Sequence, residues 1–376
     1  MKTISILGST GSIGRQTLDI IRNNPQDYKI LGLAGGNNLE LLQKQVEEFS
    51  PTYVYSPKIT TARWNGANVI DMEEMASFPQ DKVIISTVGS IGLLSTMSAI
   101  HSGVNVAIAN KEVLVMAGQI VMSKAKENNV QIIPIDSEHN AIWQCLIGDA
   151  VDGTKAKTEM LRRIIITASG GAFRDLQQEE LAYVCAKQAL IHPTWAMGEK
   201  ITIDCATLMN KGFEVIEANW LFGVEYSKIN VVLHRESIIH GMVEFQDGSY
   251  KALLSYPDMH LPIQHALNYP NRPKSTWRTL DIENITKLSL SKLDASRYPC
   301  FNLALSAGRM GGTLPTVLSA SDEAAVALFI EGKISYLQIP KIIEGAMYKH
   351  TINYNPTIDE IITLDQEIKN KIRRDY

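Results

Sequence analysis

Along the first 130 or so residues, apolar positions switch repeatedly between two periods. Short β-branched runs at Ile4–Leu7, Ile30–Ala34, Tyr53–Tyr55, Val83–Thr87, Val104–Ala109 and Gln131–Ile135 read as strands, and helical periods fill the gaps. Strands that alternate with helices pair in parallel, so this part predicts an α/β, Rossmann-like doubly wound sheet. A second region carries the strand candidates Arg163–Thr167, Asn230–His234, Met242–Phe245 and Tyr250–Ser255. The turn residues Gln246-Asp-Gly-Ser249 sit between the last two, which predicts an antiparallel pair and an α+β region. The remainder reads as helical. Ser321-Asp-Glu-Ala-Ala is expected to cap and start one helix, and Ile358, Ile361, Leu364, Ile368 and Ile372 give the apolar stripe of another.

These periods divide the 376 residues into a nucleotide-binding domain over 1–133, a catalytic domain over 134–257, a linker over 258–298 and a C-terminal helical domain over 299–376. The spacing of Pro257, Pro262, Pro270, Pro273 and Pro299 is what marks the linker. Within the second domain, the polar stretch 173–200 holds His192-Pro193, Trp195 and Gly198, and a long connection of this kind is expected to serve as a lid.

Composition narrows the class of function. With 36 basic and 40 acidic residues the net charge is −4, so no general field draws the chain to nucleic acid or an anionic membrane, and any anion site must be local. Cys145, Cys185, Cys205 and Cys300 lie far apart, a pattern that fits neither a zinc knuckle nor a disulfide framework and agrees with a reducing cytoplasm. Met1-Lys2 leads directly into a strand, so no signal or transit peptide is expected, and no apolar run approaches the roughly 20 residues of a membrane span.

Gly8-Ser-Thr-Gly11-Ser-Ile-Gly14 lies between the first strand and a helix through Leu18, Ile20 and Ile21. Glycines there let the backbone approach a pyrophosphate, while the helix N-terminus offers free N–H groups. A tight strand-to-helix turn would show the same glycines. The stretch Leu33-Ala-Gly-Gly-Asn-Asn38 carries no carboxylate for a ribose 2′-hydroxyl, which leans toward NADP, yet no basic residue stands there either.

Polar groups gather at further places. Asp136 and Glu138 follow the apolar run Ile132-Ile133-Pro134, and in extended backbone they would share a face. Asn110-Lys111-Glu112 sits at the carboxyl end of a predicted parallel strand, where open α/β sheets bind ligands. Asn210, Lys211 and Glu214 fall within one helical turn, and Ser169-Gly170-Gly171 forms an N–H-rich turn suited to an oxyanion. Two carboxylates about 4 Å apart repel by about 4 kcal/mol at an effective dielectric near 20, so a dry cluster of Asp136, Glu138 and Glu214 would need protons or a hard cation. Oxygen ligands suit Mg²⁺ or Mn²⁺. The alternative is an exposed strand end and a solvated helix face. His139 reads as structural, whereas His192 sits in the expected lid beside Trp195.

Taken in order, the glycine turn, Ala109-Asn-Lys-Glu112, Asp136-Ser-Glu-His-Asn140, Ser169-Gly-Gly171, His192-Pro-Thr-Trp195 and Met209-Asn-Lys-Gly-Phe-Glu214 closely resemble the 1-deoxy-D-xylulose 5-phosphate reductoisomerases. The likeness continues through Trp220-Leu-Phe222, Ser237-Ile-Ile-His240, Pro257-Asp-Met259 and Arg297-Tyr-Pro-Cys300, so it covers essentially the whole chain. The resemblance implies a cytoplasmic homodimer that uses NADPH and Mg²⁺ or Mn²⁺. Its expected reaction rearranges and reduces a sugar phosphate to 2-C-methyl-D-erythritol 4-phosphate, in non-mevalonate isoprenoid synthesis. It further implies NADPH contacts from Thr10, Gly11, Ser12, Ile13, Gly35, Gly36, Asn37, Asn110, Glu112 and Gly198. Asp136, Glu138 and Glu214 are implied as metal ligands, with Lys111 and His192 also in the catalytic set. Substrate contacts are implied for Lys111, Ser137, Glu138, Ser169, His192, Trp195, Cys205, Asn210, Lys211 and Glu214.

Two positions depart from the family pattern. Cys205 stands where the family commonly has serine, and losing a hydrogen bond to a charged group costs about 1.5–3 kcal/mol, roughly ten- to a hundredfold in affinity. Gly36 stands where the family often has a basic residue facing the 2′-phosphate. Other classes fit fewer residues. A semialdehyde-type or sugar dehydrogenase with a similar glycine turn and Cys205 as nucleophile would need a nearby base and no metal, and an NADP-binding regulator would leave the carboxylates, Lys111 and Asn210-Lys211 without work.

Overall fold

The computed structural model describes residues 1–148, 151–152, 155–156 and 159–376. The chain divides into two units. Met1–Val113, Gln119–Trp143 and Asp258–Thr279 form the first; Leu114–Gly118, Gln144–Pro257 and Leu280–Tyr376 form the second.

The first unit is built on eight strands: β1 (Lys2–Leu7), β2 (Tyr28–Ala34), β3 (Tyr53–Tyr55), β4 (Arg63–Trp64), β5 (Ala67–Val69), β6 (Lys82–Ile85), β7 (Asn105–Ile108) and β8 (Ile132–Pro134). Their order is β4-β5-β3-β2-β1-β6-β7-β8. Every pairing is parallel except β4 with β5. All four residues of β6 and all three of β8 are buried, the pattern of strands covered on both faces. The predicted parallel sheet is therefore present; β1 and β2 begin two residues earlier than expected, β3 matches, β6 ends two residues sooner, and β7 and β8 lose one residue at each end. From β1 the chain winds first toward β2 and β3, then returns to β6 on the other side of β1. The carboxyl end of β1 is thus a topological switch point, the usual ligand crevice of such sheets.

Pro262 lies within a helix, His260–Asn268, that packs against helix Ser12–Arg22 in the same unit. The prolines expected to mark a linker therefore bracket ordered structure. Lys2 and Lys82 place their amino groups 2.7 Å from the carbonyls of Leu267 and Ala266 at the end of that helix. These are unsatisfied C-terminal carbonyls, and ammonium groups complement them.

In the second unit a five-stranded sheet is centred on Leu161–Ala168, which pairs in parallel with Ile229–Leu233 and antiparallel with Ile239–Phe245. Ile239–Phe245 and Tyr250–Leu254 form the predicted antiparallel pair across the Gln246–Ser249 turn. Helices Glu199–Thr207 and Met209–Phe222 share one core with the C-terminal helices, through Ile203, Met209 and Phe213 against Leu318, Phe329 and Ile339. Lys200 is tied into this core, 2.7 Å from Asp204 and 3.1 Å from Asp322.

Ser321 does not start a helix. It lies inside Leu314–Ile330, fully buried, and its Oγ donates to the carbonyl of Val317 at 2.6 Å. The helix begins earlier because Pro315 suits a first turn, and a buried serine can satisfy itself on the preceding turn. The final helix, Ile358–Asp375, does carry a capping box, formed by Thr357 and Glu360. Among the described residues no helix is long and apolar enough to cross a membrane.

Candidate active site

In the first unit the glycine turn occupies the switch point. The N–H groups of Gly8 and Ser9 both donate to the Ala34 carbonyl, at 2.9 and 2.8 Å. Gly8 has φ +99°, and a Cβ there would fall 2.4 Å from the Ser86 carbonyl oxygen; a Cβ on Gly14 would fall 2.3 Å from that of Gly8. Glycine is therefore required at both by close backbone approach. Gln45, buried in helix Leu39–Phe49, braces the turn by accepting from Ser9 Oγ at 2.8 Å and donating to the Ser9 carbonyl at 2.9 Å. Nothing in the spacing marks that glutamine beyond a polar residue on an amphipathic helix. Helix Ser12–Arg22 starts at Gly11 with no side chain on its first N–H groups, which leaves them for an anion. A dinucleotide pyrophosphate fits this cradle.

Other expected cofactor residues lie at carboxyl ends of neighbouring strands. Gly35 is buried and donates to the Tyr55 carbonyl at 2.9 Å, while Gly36 and Asn37 are exposed. Asn110 follows β7 and caps the next helix: its Oδ1 accepts from the Val113 N–H at 3.1 Å, and its Nδ2 donates to the Gly89 carbonyl at 2.9 Å. Its amide thus fixes the loop after β6 to the helix that carries Lys111 and Glu112.

Lys111 donates to Asp136 Oδ2 at 2.8 Å, and both side chains are nearly buried. Asp136 and Glu138 do bring carboxylate oxygens within 4.8 Å of each other, but not through the extended backbone expected of them. Strand β8 ends at Pro134, and a helix runs over Ser137–Leu146, its first turn closed by the Asn140 N–H on the Asp136 carbonyl at 2.8 Å. Ser137 and Glu138 stand in that first turn, where a carboxylate is favoured by the helix dipole. Consecutive helical side chains diverge by about 100° rather than 180°. Ser137 is accordingly not turned away from its neighbours, and its Oγ donates to Glu138 Oε2 at 2.5 Å. Asp136 is no exposed strand end, since its side chain is 12% exposed.

In the second unit Glu214 is 1% exposed, which excludes a solvated helix face. Asn210 Nδ2 donates to its Oε1 at 2.6 Å and Lys211 Nζ to its Oε2 at 2.5 Å, the arrangement that the spacing on one helical turn predicts. Each carboxylate oxygen has two lone pairs, so these contacts leave capacity for a cation. The carboxylates of Asp136, Glu138 and Glu214 are hard oxygen donors of the kind Mg²⁺ and Mn²⁺ take, and in donor chemistry they fit such an ion.

Ser169 follows the central strand of the second sheet, and Gly170 and Gly171 turn in the left-handed region. A Cβ on Gly171 would lie 2.4 Å from the Cys205 carbonyl oxygen, so the turn seats directly on helix Glu199–Thr207. Cys205 is buried in that helix, 8% exposed, which is poor ground for a nucleophile. His192 Nδ1 accepts the N–H groups of Thr194 and Trp195, at 3.2 and 2.9 Å. Its proton therefore resides on Nε2, 2.9 Å from Ser169 Oγ. Trp195 sets its ring edge-on to His240 at 5.9 Å. Two polar groups went unassigned in the sequence: Arg174, whose guanidinium donates to the Ser169 carbonyl at 2.8 Å, and Ser237, whose Oγ lies 3.0 Å from Thr194 Oγ1. The run Ser237-Ile-Ile-His240 was the available signal for the second.

Burial, with Arg174 and Lys211 adding, pushes the His192 pKa down to about 4. The folded value lies below the unfolded one, so between the two the unfolded chain binds the extra proton. Stability then falls as pH drops from about 6.5 toward 4 and is insensitive to this group above that window. His192→Gln is expected to flatten part of that acid limb in thermal unfolding at pH 7 and pH 5. An unchanged slope would mean that His192 is protonated in the folded state.

A family model described as 1-deoxy-D-xylulose 5-phosphate reductoisomerase matches residues 4–118, and models of the C-terminal domains of that enzyme match residues 132–222 and 254–371. The chain is 47% identical to 1-deoxy-D-xylulose 5-phosphate reductoisomerase of Thermoanaerobacter pseudethanolicus, across 100% of both chains. It is 45% identical to that of Listeria monocytogenes, across 99% of both. A DOX-P reductoisomerase solved in complex with NADPH, fosmidomycin and magnesium superposes with a TM-score of 0.93 at 36% identity, covering 100% of this chain and 98% of that one. The Zymomonas mobilis reductoisomerase in complex with NADPH gives 0.90 at 34% identity, covering 99% and 98%. With family models over most of its length and full-length relatives at this identity, the chain belongs to the 1-deoxy-D-xylulose 5-phosphate reductoisomerase family.

Proposed function

We propose that this protein converts 1-deoxy-D-xylulose 5-phosphate to 2-C-methyl-D-erythritol 4-phosphate with NADPH and Mg²⁺ or Mn²⁺. The observation that carries the reading is the buried Glu214, held by Asn210 and Lys211, in a chain whose full-length relatives are reductoisomerases. Asp136, Glu138 and Glu214 are the residues proposed to hold the divalent ion. Bound ion supplies Lewis-acid stabilisation of oxyanions while a carbon–carbon bond breaks and re-forms, and NADPH supplies the hydride.

The protein's own groups do the positioning. Lys111, paired with Asp136 at 2.8 Å, is proposed to set positive charge beside the reacting oxygens. Ser137, Ser169, His192, Cys205, Asn210 and Lys211 are proposed to grip substrate. His192 does so as a neutral donor through Nε2–H, because its Nδ1 is committed to backbone. Holding a phosphate remote from the reacting carbons lets binding energy orient the sugar for both steps. Trp195, in the segment 173–200, is proposed to exclude water while the aldehyde intermediate exists. Thr10, Gly11, Ser12, Ile13, Gly35, Gly36, Asn37, Asn110, Glu112 and Gly198 are proposed as NADPH contacts, and the working form as a cytoplasmic homodimer.

The test is NADPH oxidation followed at 340 nm with 1-deoxy-D-xylulose 5-phosphate, with and without a chelator, using a protein freed of bound metal. Activity is expected to vanish on chelation and to return with Mg²⁺ or Mn²⁺. Full activity in chelator would sink the metal reading and favour a thiol mechanism.

A further inference from the structure

The turn after β2 presents a problem that its neighbour resolves. Gly35-Gly36-Asn37-Asn38 carries no charged side chain, although doubly wound folds read the ribose 2′ position there. An adenosine 2′-phosphate would meet only backbone and amide. Strand β3 pairs in parallel with β2, Tyr55 opposite Ala34, so the chain leaving β3 runs beside that turn. Ser56 joins the two: 1% exposed, it donates Oγ to the Gly36 carbonyl at 2.8 Å and accepts the Lys58 N–H at 3.2 Å. Lys58 then folds back, its Nζ 3.3 Å from the Asn37 carbonyl oxygen.

We propose that Lys58, reaching across from the end of β3, is the cation that recognises the 2′-phosphate of NADPH and stands in for the basic residue absent at position 36. The inference rests on the NADPH reading above.

Three observations support it. The ammonium is held at the turn by a weak contact to a neutral carbonyl, which a phosphate dianion would outcompete. Space is present, because a Cβ on Gly36 would meet nothing within 4 Å. The nearby carboxylate of Glu40 lies 2.6 Å from Lys44, so its charge is already matched. The buried Ser56 bridge makes this more than a surface lysine, since it fixes where the Lys58 backbone starts.

The test is equilibrium binding, read by quenching of protein fluorescence, of NADPH, NADH and adenosine 2′,5′-bisphosphate to wild type and to Lys58→Gln, Lys58→Arg and the double variant Lys58→Gln/Gly36→Arg. Lys58→Gln is expected to weaken NADPH and the bisphosphate about tenfold, the lower end for a lost hydrogen bond to a charged group, with NADH unchanged within about twofold. Lys58→Arg should keep NADPH binding, and the arginine at position 36 should restore it. The loss should shrink as salt rises, as for any exposed charge pair. Equal weakening of NADPH and NADH, or none for NADPH, overturns the assignment of Lys58. If wild type itself binds NADH as tightly as NADPH, the cofactor reading falls along with it.

Discussion

Glu214→Gln is expected to lower divalent-metal-dependent turnover by at least about 10³-fold, because Lewis-acid stabilisation is worth several kcal/mol and each 1.36 kcal/mol is tenfold in rate. The substitution is nearly isosteric, so its effect is chemical. An amide offers one neutral acceptor oxygen where the carboxylate offered two charged ones. It also turns an NH₂ group toward either Asn210 Nδ2 or Lys211 Nζ, both of which are donors at 2.6 and 2.5 Å in the wild type. Removing one charge of a buried ion pair costs up to about 3–5 kcal/mol, so the melting temperature should fall as well. NADPH affinity separates catalysis from unfolding. The glycine turn proposed to cradle the pyrophosphate belongs to the first unit, Glu214 to the second, and binding should stay within about twofold because additive effects are the rule for independent sites. Turnover near wild type, still abolished by chelator, would show that Glu214 is no metal ligand.

What could be read from residues alone follows from how local the physics is. Parallel strands buried on both faces leave continuous β-branched runs, which mark β1, β2, β3, β6, β7 and β8; the two- and three-residue strands β4 and β5, half exposed at the sheet edge, leave no such run. Asn210, Lys211 and Glu214 were legible as a unit because helix geometry alone brings i, i+1 and i+4 to one turn. The stretch after Pro134 misled because alternation was carried past the point where the strand stops. Only the bond from the Asn140 N–H to the Asp136 carbonyl shows that a helix has begun. Ser321 misled for the complementary reason, since a serine before two acids is also compatible with a buried helix interior where Oγ bonds back to Val317. Gln45 and Lys58 could not be found at all from spacing. Each acts across a strand or helix boundary on a turn distant in the chain, and such a contact has no period.

Gly14→Ala tests the cradle itself, and the expected result is loss of NADPH binding by about 100-fold or more together with a lower melting temperature. The added methyl would stand 2.3 Å from the Gly8 carbonyl oxygen and 2.5 Å from the Ser9 Cα. Both are backbone atoms, so no rotamer change relieves the overlap. Nor can the turn slide away: Gly8 and Ser9 are fixed on the Ala34 carbonyl, the Gly11 N–H on the Gly8 carbonyl at 3.0 Å, and Ser9 on Gln45. Relief would come from lifting the start of helix Ser12–Arg22, which withdraws the N–H groups proposed to meet the pyrophosphate. Overpacking of this kind costs about 1–3 kcal/mol, which in a protein of this size is a shift of a few degrees. Gly345→Ala supplies the contrast: a Cβ there meets nothing within 4 Å, it lies in helix Gln338–Tyr348, and alanine should stabilise that helix by up to about 1 kcal/mol. Measured side by side, Gly14→Ala should lose cofactor and stability while Gly345→Ala keeps the first and gains slightly in the second. If Gly14→Ala bound NADPH like the wild type, the pyrophosphate would have to lie elsewhere than on this turn.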